Sequence, residues 1–202
     1  AKNLYLVGSR SQPAVIRAFV AVQLSPDVVA EIFGIQSQLK RSLKGIRWVN
    51  RENFHFTIKF LGWVEEKSIP SILGGLEQVG GTMPQFRIIS GGIGVFPDIR
   101  RPRVLWVGLQ GENLKSLAME VERRLEPLGF EKEQRDFKPH LTLGRWREFI
   151  GPHEPLKQEL ERWKNHHFGE SWIREMVLFQ SVLKREGAIY SPLGVVPLKE
   201  AN

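Results

Sequence analysis

The chain contains no cysteine, which removes disulfides, thiolate metal sites and a cysteine nucleophile at once. Histidine is scarce, five in 202 residues, so a local pattern that uses one twice carries weight. No apolar run approaches the ~20 residues needed to span a bilayer. The opening stretch AKNLYLVGSRSQP has too short an apolar run for a signal peptide, and residues 1–15 are left as an unassigned N-terminal extension. Acidic residues are in deficit, 22 against 29 lysines and arginines, for a net charge of +7. Such a surface draws a polyanion, although solubility alone would also account for it. What remains is ordinary: 42% hydrophobic and 25% charged residues suit a soluble globular protein. A cytoplasmic location and a monomer are expected. The length allows one large domain or two small lobes with a real core.

The apolar periodicity alternates between strand and helix. IRAFVAVQL (residues 16–24) is β-branched and aromatic-rich and predicts a buried strand. Ser25 and Pro26 then open a helix as N-cap and first residue, with a stripe from Val28 to Leu39. IRWV and FHFTIKFLGWV predict strands, the second ending near Gly62, and a helix follows over Glu65–Val79. QFRIISGGIGVFP and RVLWVGLQ predict two more strands, Asn113–Leu125 a helix, and HLTLGRW a strand. A weaker helical pattern runs from Pro152 to Lys164. WIREMVLFQSVL and AIYSPLGVVPL close the chain as a hairpin around KREG. Many neighbouring strands are close enough to be antiparallel, which predicts an α+β class.

The chain also repeats itself. RAFVAVQL leads, roughly 38 residues after Arg17, to His55; RVLWVGLQ leads, roughly 37 residues after Arg103, to His140. Each copy is strand, helix, loop and a strand carrying H-x-T. A repeat of this kind predicts two lobes related by a pseudo-twofold axis, with equivalent strands turned toward a shared cleft. In FHFTIKF, residues i and i+2 point to one face. His55, Thr57 and Lys59 then share the cleft face, and Phe54, Phe56, Ile58 and Phe60 share the core face. His140 and Thr142 share a face in PHLTLGR, with Leu141 and Leu143 behind it.

Two imidazoles across a cleft suit an in-line displacement at phosphorus. A neutral histidine takes a proton from water and a protonated one gives a proton to the leaving oxygen; an ordinary imidazole supplies both forms near neutrality. The threonine hydroxyls, one pleat away, can donate to the non-bridging phosphate oxygens, where transition-state charge sits. Two histidines without a carboxylate at ligand spacing make a poor zinc site, so no metal is expected. His153, His166 and His167 lie in polar surroundings and read as solvated. SGGIGVFP lacks the Gly-Lys-Ser/Thr ending of a P-loop and reads as a turn or bulge. The six tryptophans, Trp48, Trp63 and Trp106 among them, read mostly as core, although an exposed one could stack on a base.

HFTI (His55–Ile58) and HLTL (His140–Leu143) resemble the paired H-x-T-x motifs of the 2H phosphoesterase superfamily. With RAFVAVQL, GVFP, RVLWVGL, FKPHLTLGR and LFQSVL…GxxY, the chain resembles the RNA 2′,3′-cyclic phosphodiesterase branch, formerly named 2′-5′ RNA ligase, from about Arg17 to Leu198. The resemblance implies a single bilobal α+β domain over residues 16–202. It implies hydrolysis of an RNA-terminal 2′,3′-cyclic phosphate to a 2′-phosphate without cofactor, with His55 as proton donor and His140 as acceptor. Thr57, Thr142 and Arg145 would bind the substrate. Strict alternation aims Arg145 away from His140, so reaching the phosphate requires the strand to end or bulge near Gly144. The alternatives are 2′-5′ ligase or 2′-5′ phosphodiesterase activity at the same site, or a non-catalytic RNA- or nucleotide-binding module.

Overall fold

The β-branched and aromatic run VIRAFVAV forms β1 (Val15–Val22), and Pro26 then starts α1 (Pro26–Ser42), with Asp27 in its first turn and Lys40 and Arg41 in its last. That charge order suits the helix dipole. The computed structural model describes residues 12–202; residues 1–11, most of the unassigned extension, lie outside the described residues. The chain continues as β2 (Ile46–Trp48), β3 (Phe56–Glu65), α2 (Ile69–Thr82), β4 (Phe86–Phe96), β5 (Val104–Gln110) and α3 (Leu114–Leu125). β6 (His140–Trp146), α4 (His153–Trp163), β7 (His167–Ile173), β8 (Glu175–Lys184) and β9 (Gly187–Pro197) complete it. No helix among the described residues is long and apolar enough to cross a membrane.

The strands form two antiparallel sheets, ordered β3-β1-β8-β9 and β2-β6-β5-β4-β7. The repeat is visible in their registers. Phe19 pairs with Phe60 and Ala21 with Thr57 in the first sheet. Val104 pairs with Arg145 and Trp106 with Thr142 in the second, each residue 85 positions beyond its counterpart. The two halves interlock. α3 follows β5 of the second sheet yet packs on β3 of the first; α1 follows β1 of the first sheet yet packs on β7 of the second. One continuous apolar core results, running from Val20 and Ile32 to Leu105, Leu117 and Leu143, all fully buried. A smaller cluster of Phe19, Ala21, Val177 and Phe179 sits on the opposite face of the first sheet, with Tyr190 against it.

Several sequence expectations need correction. β3 does not stop at Gly62: that glycine adopts φ +72°, the left-handed conformation open to a residue without Cβ, and the strand runs on to Glu65. α2 begins later than Glu65, at Ile69, after a 3₁₀ turn over Glu66–Ser68, with Pro70 in the first helical turn. The polar stretch NHHFGES around His166 and His167 contributes to β7, which pairs with β4. Its alternation is hidden because a core-facing position is Ser171, only 1% exposed. Ser171 Oγ accepts the Ser25 N–H at 2.9 Å and bonds the Ser25 hydroxyl at 2.8 Å, which pins the start of α1 to the second sheet. Trp63 and Trp172 are not core residues; both are exposed.

Candidate active site

β3 and β6 approach each other across one cleft of about 1340 Å³ lined by His55, Thr57, His140, Thr142 and Arg145. Residues paired directly in an antiparallel ladder share a face, so the register shows where each side chain stands. Ala21 faces Thr57 and Val20 faces Lys59, leaving Ile58 as an extra residue in β3. This bulge reverses the alternation beyond it. Lys59 therefore joins Val20 on the core side, 7% exposed, and Phe60 joins Phe19 on the cleft side. Both placements reverse the expectation from strict alternation.

The same device operates in β6. Leu105 faces Gly144 and Trp106 faces Thr142, with Leu143 as the extra residue. Arg145, three positions after Thr142, thus returns to the cleft side beside His140. The bulge lies one residue before Gly144. Gly144 itself has to be small, because a Cβ there would run into Ile46 of β2. The carbonyl that the bulge frees on Leu143 is not left bare: it accepts from Val49 N–H at 2.9 Å and from Gln36 Nε2 at 3.0 Å. Gln36 is fully buried on α1 and was given no role by the sequence pattern; a lone polar residue inside an apolar helical stripe was the signal.

In the first lobe the counterpart is ionic. Lys59 Nζ donates to Glu122 of α3 at 2.6 Å and to the Glu131 carbonyl at 2.8 Å. It thereby ties β3 to the helix and to the loop that leads into His140. A buried ammonium persists only when paired and hydrogen-bonded in this way.

Both histidines are half-buried. His55 lies in an aromatic bed, stacked on Phe19 at 5.0 Å between ring centroids, with Tyr190 edge-on at 5.0 Å and Phe179 at 5.9 Å. Burial lowers its pKa from 6.5 to about 4, against a backbone hydrogen bond to Asn53 that favours the charged form. His140 meets the edge of Phe96 at 5.0 Å. Its pKa is also lowered, first by burial and then by the charge of Arg145, with the Lys138 backbone bond opposing. The Lys138 carbonyl lies 2.6 Å from His140 Nδ1. A carbonyl only accepts, so Nδ1 carries the hydrogen and Nε2 is the nitrogen free to exchange a proton. Burial raises the Tyr190 phenol, while Arg145 and Arg17, one from each lobe, pull it back. Phe19 and Tyr190 were not singled out by residue chemistry, although Tyr190 ends the GxxY pattern.

The other sequence candidates stand elsewhere. His166 is half-buried with Nε2 2.9 Å from Glu31 Oε1, which corrects its reading as solvated, and His153 Nε2 lies 3.1 Å from the Arg100 carbonyl. His167 is exposed. SGGIGVFP lies in β4, with a register shift between Gly91 and Ile93. A Cβ at Gly94 would occupy the place of the Trp106 indole. Arg103, Lys132, Arg135, Lys138 and Arg145 line the cleft, together with Glu122, Glu131, Glu133 and Asp136. Among the described residues, no three histidine or carboxylate side chains gather as metal ligands.

The LigT like Phosphoesterase family model matches the chain twice, over residues 22–106 and 107–190. The chain is 37% identical over 175 residues to an RNA 2′,3′-cyclic phosphodiesterase of Methanocaldococcus jannaschii, covering 87% of this chain and 96% of that protein. It is 35% identical over 181 residues to one of Archaeoglobus fulgidus, covering 89% and 99%. Its fold is similar to that of TT0787 of Thermus thermophilus, with TM-score 0.79, 27% identity and coverage of 93% and 100%. It is also similar to that of E. coli LigT crystallised with 3′-AMP, with TM-score 0.72, 22% identity and coverage of 92% and 99%.

Proposed function

This chain belongs to the LigT-like phosphoesterase family, and we propose that it hydrolyses the 2′,3′-cyclic phosphate at the end of an RNA strand to a 2′-phosphate. The observation that carries the reading is the pairing of His55 and His140. Each stands two residues before the threonine of a repeated strand, His55 just ahead of β3 and His140 at the start of β6, and both line one cleft. The names of the related archaeal enzymes support the substrate.

Water enters on the side of the phosphorus opposite the 3′-oxygen. Its proton goes to His140 Nε2 as the new P–O bond forms. The P–O3′ bond breaks, and His55 delivers its proton to the 3′-oxygen. The product carries a 2′-phosphate and a free 3′-hydroxyl. Thr57, Thr142 and Arg145 donate to the non-bridging oxygens, where charge concentrates in the transition state. Burial leaves both imidazoles neutral at pH 7 before substrate binds. The cyclic phosphate brings the negative charge that favours protonating one of them.

The test is turnover of 2′,3′-cyclic AMP in the presence of EDTA, with 2′-AMP as the product. Binding without turnover would make the protein a nucleotide-binding module. Cleavage of a 2′-5′ dinucleotide in preference to the cyclic phosphate would assign the same site to 2′-5′ linkages.

A further inference from the structure

Phe60 and Trp63 are 68% and 71% exposed, a large aromatic surface for a protein to leave in water. Both stand on the cleft side of the first sheet, and two bulges put them there. The one at Ile58 turns Phe60 to the side of Phe19. A second, at Leu61 beside Gly62, leaves Ala18 facing Gly62 and Arg17 facing Trp63. Bulges re-aim side chains, and here two within five residues aim aromatic rings along one face.

Phe60 joins the strip to His55. The Phe60 ring lies 6.1 Å from Phe19, which stacks on His55. Exposed Arg17 stands beside Trp63 in register, with Ser181 on its other flank. Arg17, Phe19, Phe60, Trp63 and Ser181 include no carboxylate. Phe60 and Trp63 are three residues apart, at most about 10 Å at the rise of a strand. The cleft, at about 1340 Å³, also exceeds the ~300–1,000 Å³ typical of a pocket for one small molecule.

We propose that Phe60, Arg17 and Trp63 form a stacking platform for the nucleotides on the 5′ side of the terminal cyclic phosphate. The occupant is thus single-stranded RNA, and the inference rests on the phosphodiesterase reading above only for which end of the strand lies at the histidines. Aromatic faces receive bases of any identity, and the Arg17 guanidinium beside Trp63 meets the linking phosphate. The platform makes the protein favour an oligonucleotide over a mononucleotide with the same end.

The experiment compares the dissociation constants of 2′-AMP and of a tetra-adenylate ending in a 2′-phosphate. Trp63→Ala should weaken the tetranucleotide about 5- to 150-fold, the range for loss of one base stack, with 2′-AMP bound as in the unaltered protein. Trp63→Phe should restore most of the loss and Trp63→Leu, apolar but without a π face, should not. Circular dichroism checks that the variants fold. Tetranucleotide affinity unchanged in both Trp63→Ala and Phe60→Ala would overturn the proposal, and a changed oligomeric state in those variants would then assign the strip to protein contact. Turnover of 2′,3′-cyclic AMP by the unaltered protein judges the phosphodiesterase reading separately. If that turnover is absent while Trp63→Ala still weakens the tetranucleotide, the activity falls and the RNA platform stands.

Discussion

Three residues beyond its threonine, the first motif strand presents Phe60 to the cleft, whereas the second presents Arg145. The neighbouring pairs differ as well. Phe19 and Ala21 in one lobe stand where Val104 and Trp106 stand in the other, and Lys59 stands where Gly144 does. Common to both lobes are an imidazole, a hydroxyl two residues on, and a bulge immediately after. The imidazole and the hydroxyl are the parts that the proposed acid–base chemistry takes from each wall. The surroundings diverge: His55 lies among Phe19, Phe179 and Tyr190, while His140 stands near Arg145 and Lys138. Duplicated strands can thus hold equal reactive groups while the residue three beyond the threonine is flat and apolar in one wall and cationic in the other.

Sheet position explains part of the divergence. β3 is an edge strand, so Lys59 has room to reach Glu122 of α3. β6 is flanked by β2, and only glycine fits at residue 144. Each bulge is secured by a helix from the other repeat, through an ion pair in one lobe and through the Gln36 amide in the other.

The sharpest break in the symmetry lies in catalysis. His55→Ala and His140→Ala should each lower kcat by about 10²- to 10⁴-fold. A substrate with a good leaving group needs little protonation, so it should rescue His55→Ala and leave His140→Ala impaired. Rescue of His140→Ala instead would exchange the two roles.

Next comes stability against pH. The folded state holds His55 at about 4 and the unfolded chain at 6.5. Above pH 6.5 neither state binds the proton. As the pH falls from 6.5 to 4 the unfolded chain takes it up first, so stability declines by about 3 kcal/mol in total. Denaturant titrations across that window should show the decline, and His55→Gln should flatten it. An unchanged slope in the variant would remove burial of His55 as its cause.

The two helix supports should differ in size. Lys59→Ala strands Glu122 in a half-dry site and should cost about 3 kcal/mol, whereas Gln36→Leu leaves the Leu143 carbonyl its bond from Val49 and should cost about 1–2 kcal/mol. Equal losses in urea unfolding would contradict the ionic-versus-amide contrast. The hydroxyls act on catalysis and not on stability. Thr57→Val and Thr142→Val should each lose about 1–3 kcal/mol of transition-state binding, read from kcat/KM. Unchanged kinetics in both would make them structural.

The proton inventory gives a further check. kcat/KM should trace a bell centred below pH 6.5, since it reports the free enzyme, where burial depresses both imidazoles. The kcat profile should lie at higher pH, because bound phosphate favours the charged form. Coincident profiles would mean that the substrate does not shift the pair.

Local pattern alone determined the α+β class, the duplication, and the sharing of a face by each histidine with its threonine. These follow from periodicities of two and 3.6 that neighbouring residues impose on one another. The same pattern failed at Lys59, Phe60 and Trp63. A bulge depends on the partner strand's register, which no local window contains. It failed again at β7, where a buried serine is tolerated because Ser25, 146 positions away, satisfies it. The depressed imidazoles, the Gln36 and Lys59 supports and the aromatic strip were likewise decided only in three dimensions. Burial and hydrogen-bond satisfaction are sums over residues distant in the chain, so a sequence carries the parts of this site while the packing of two interlocked lobes sets their electrostatics.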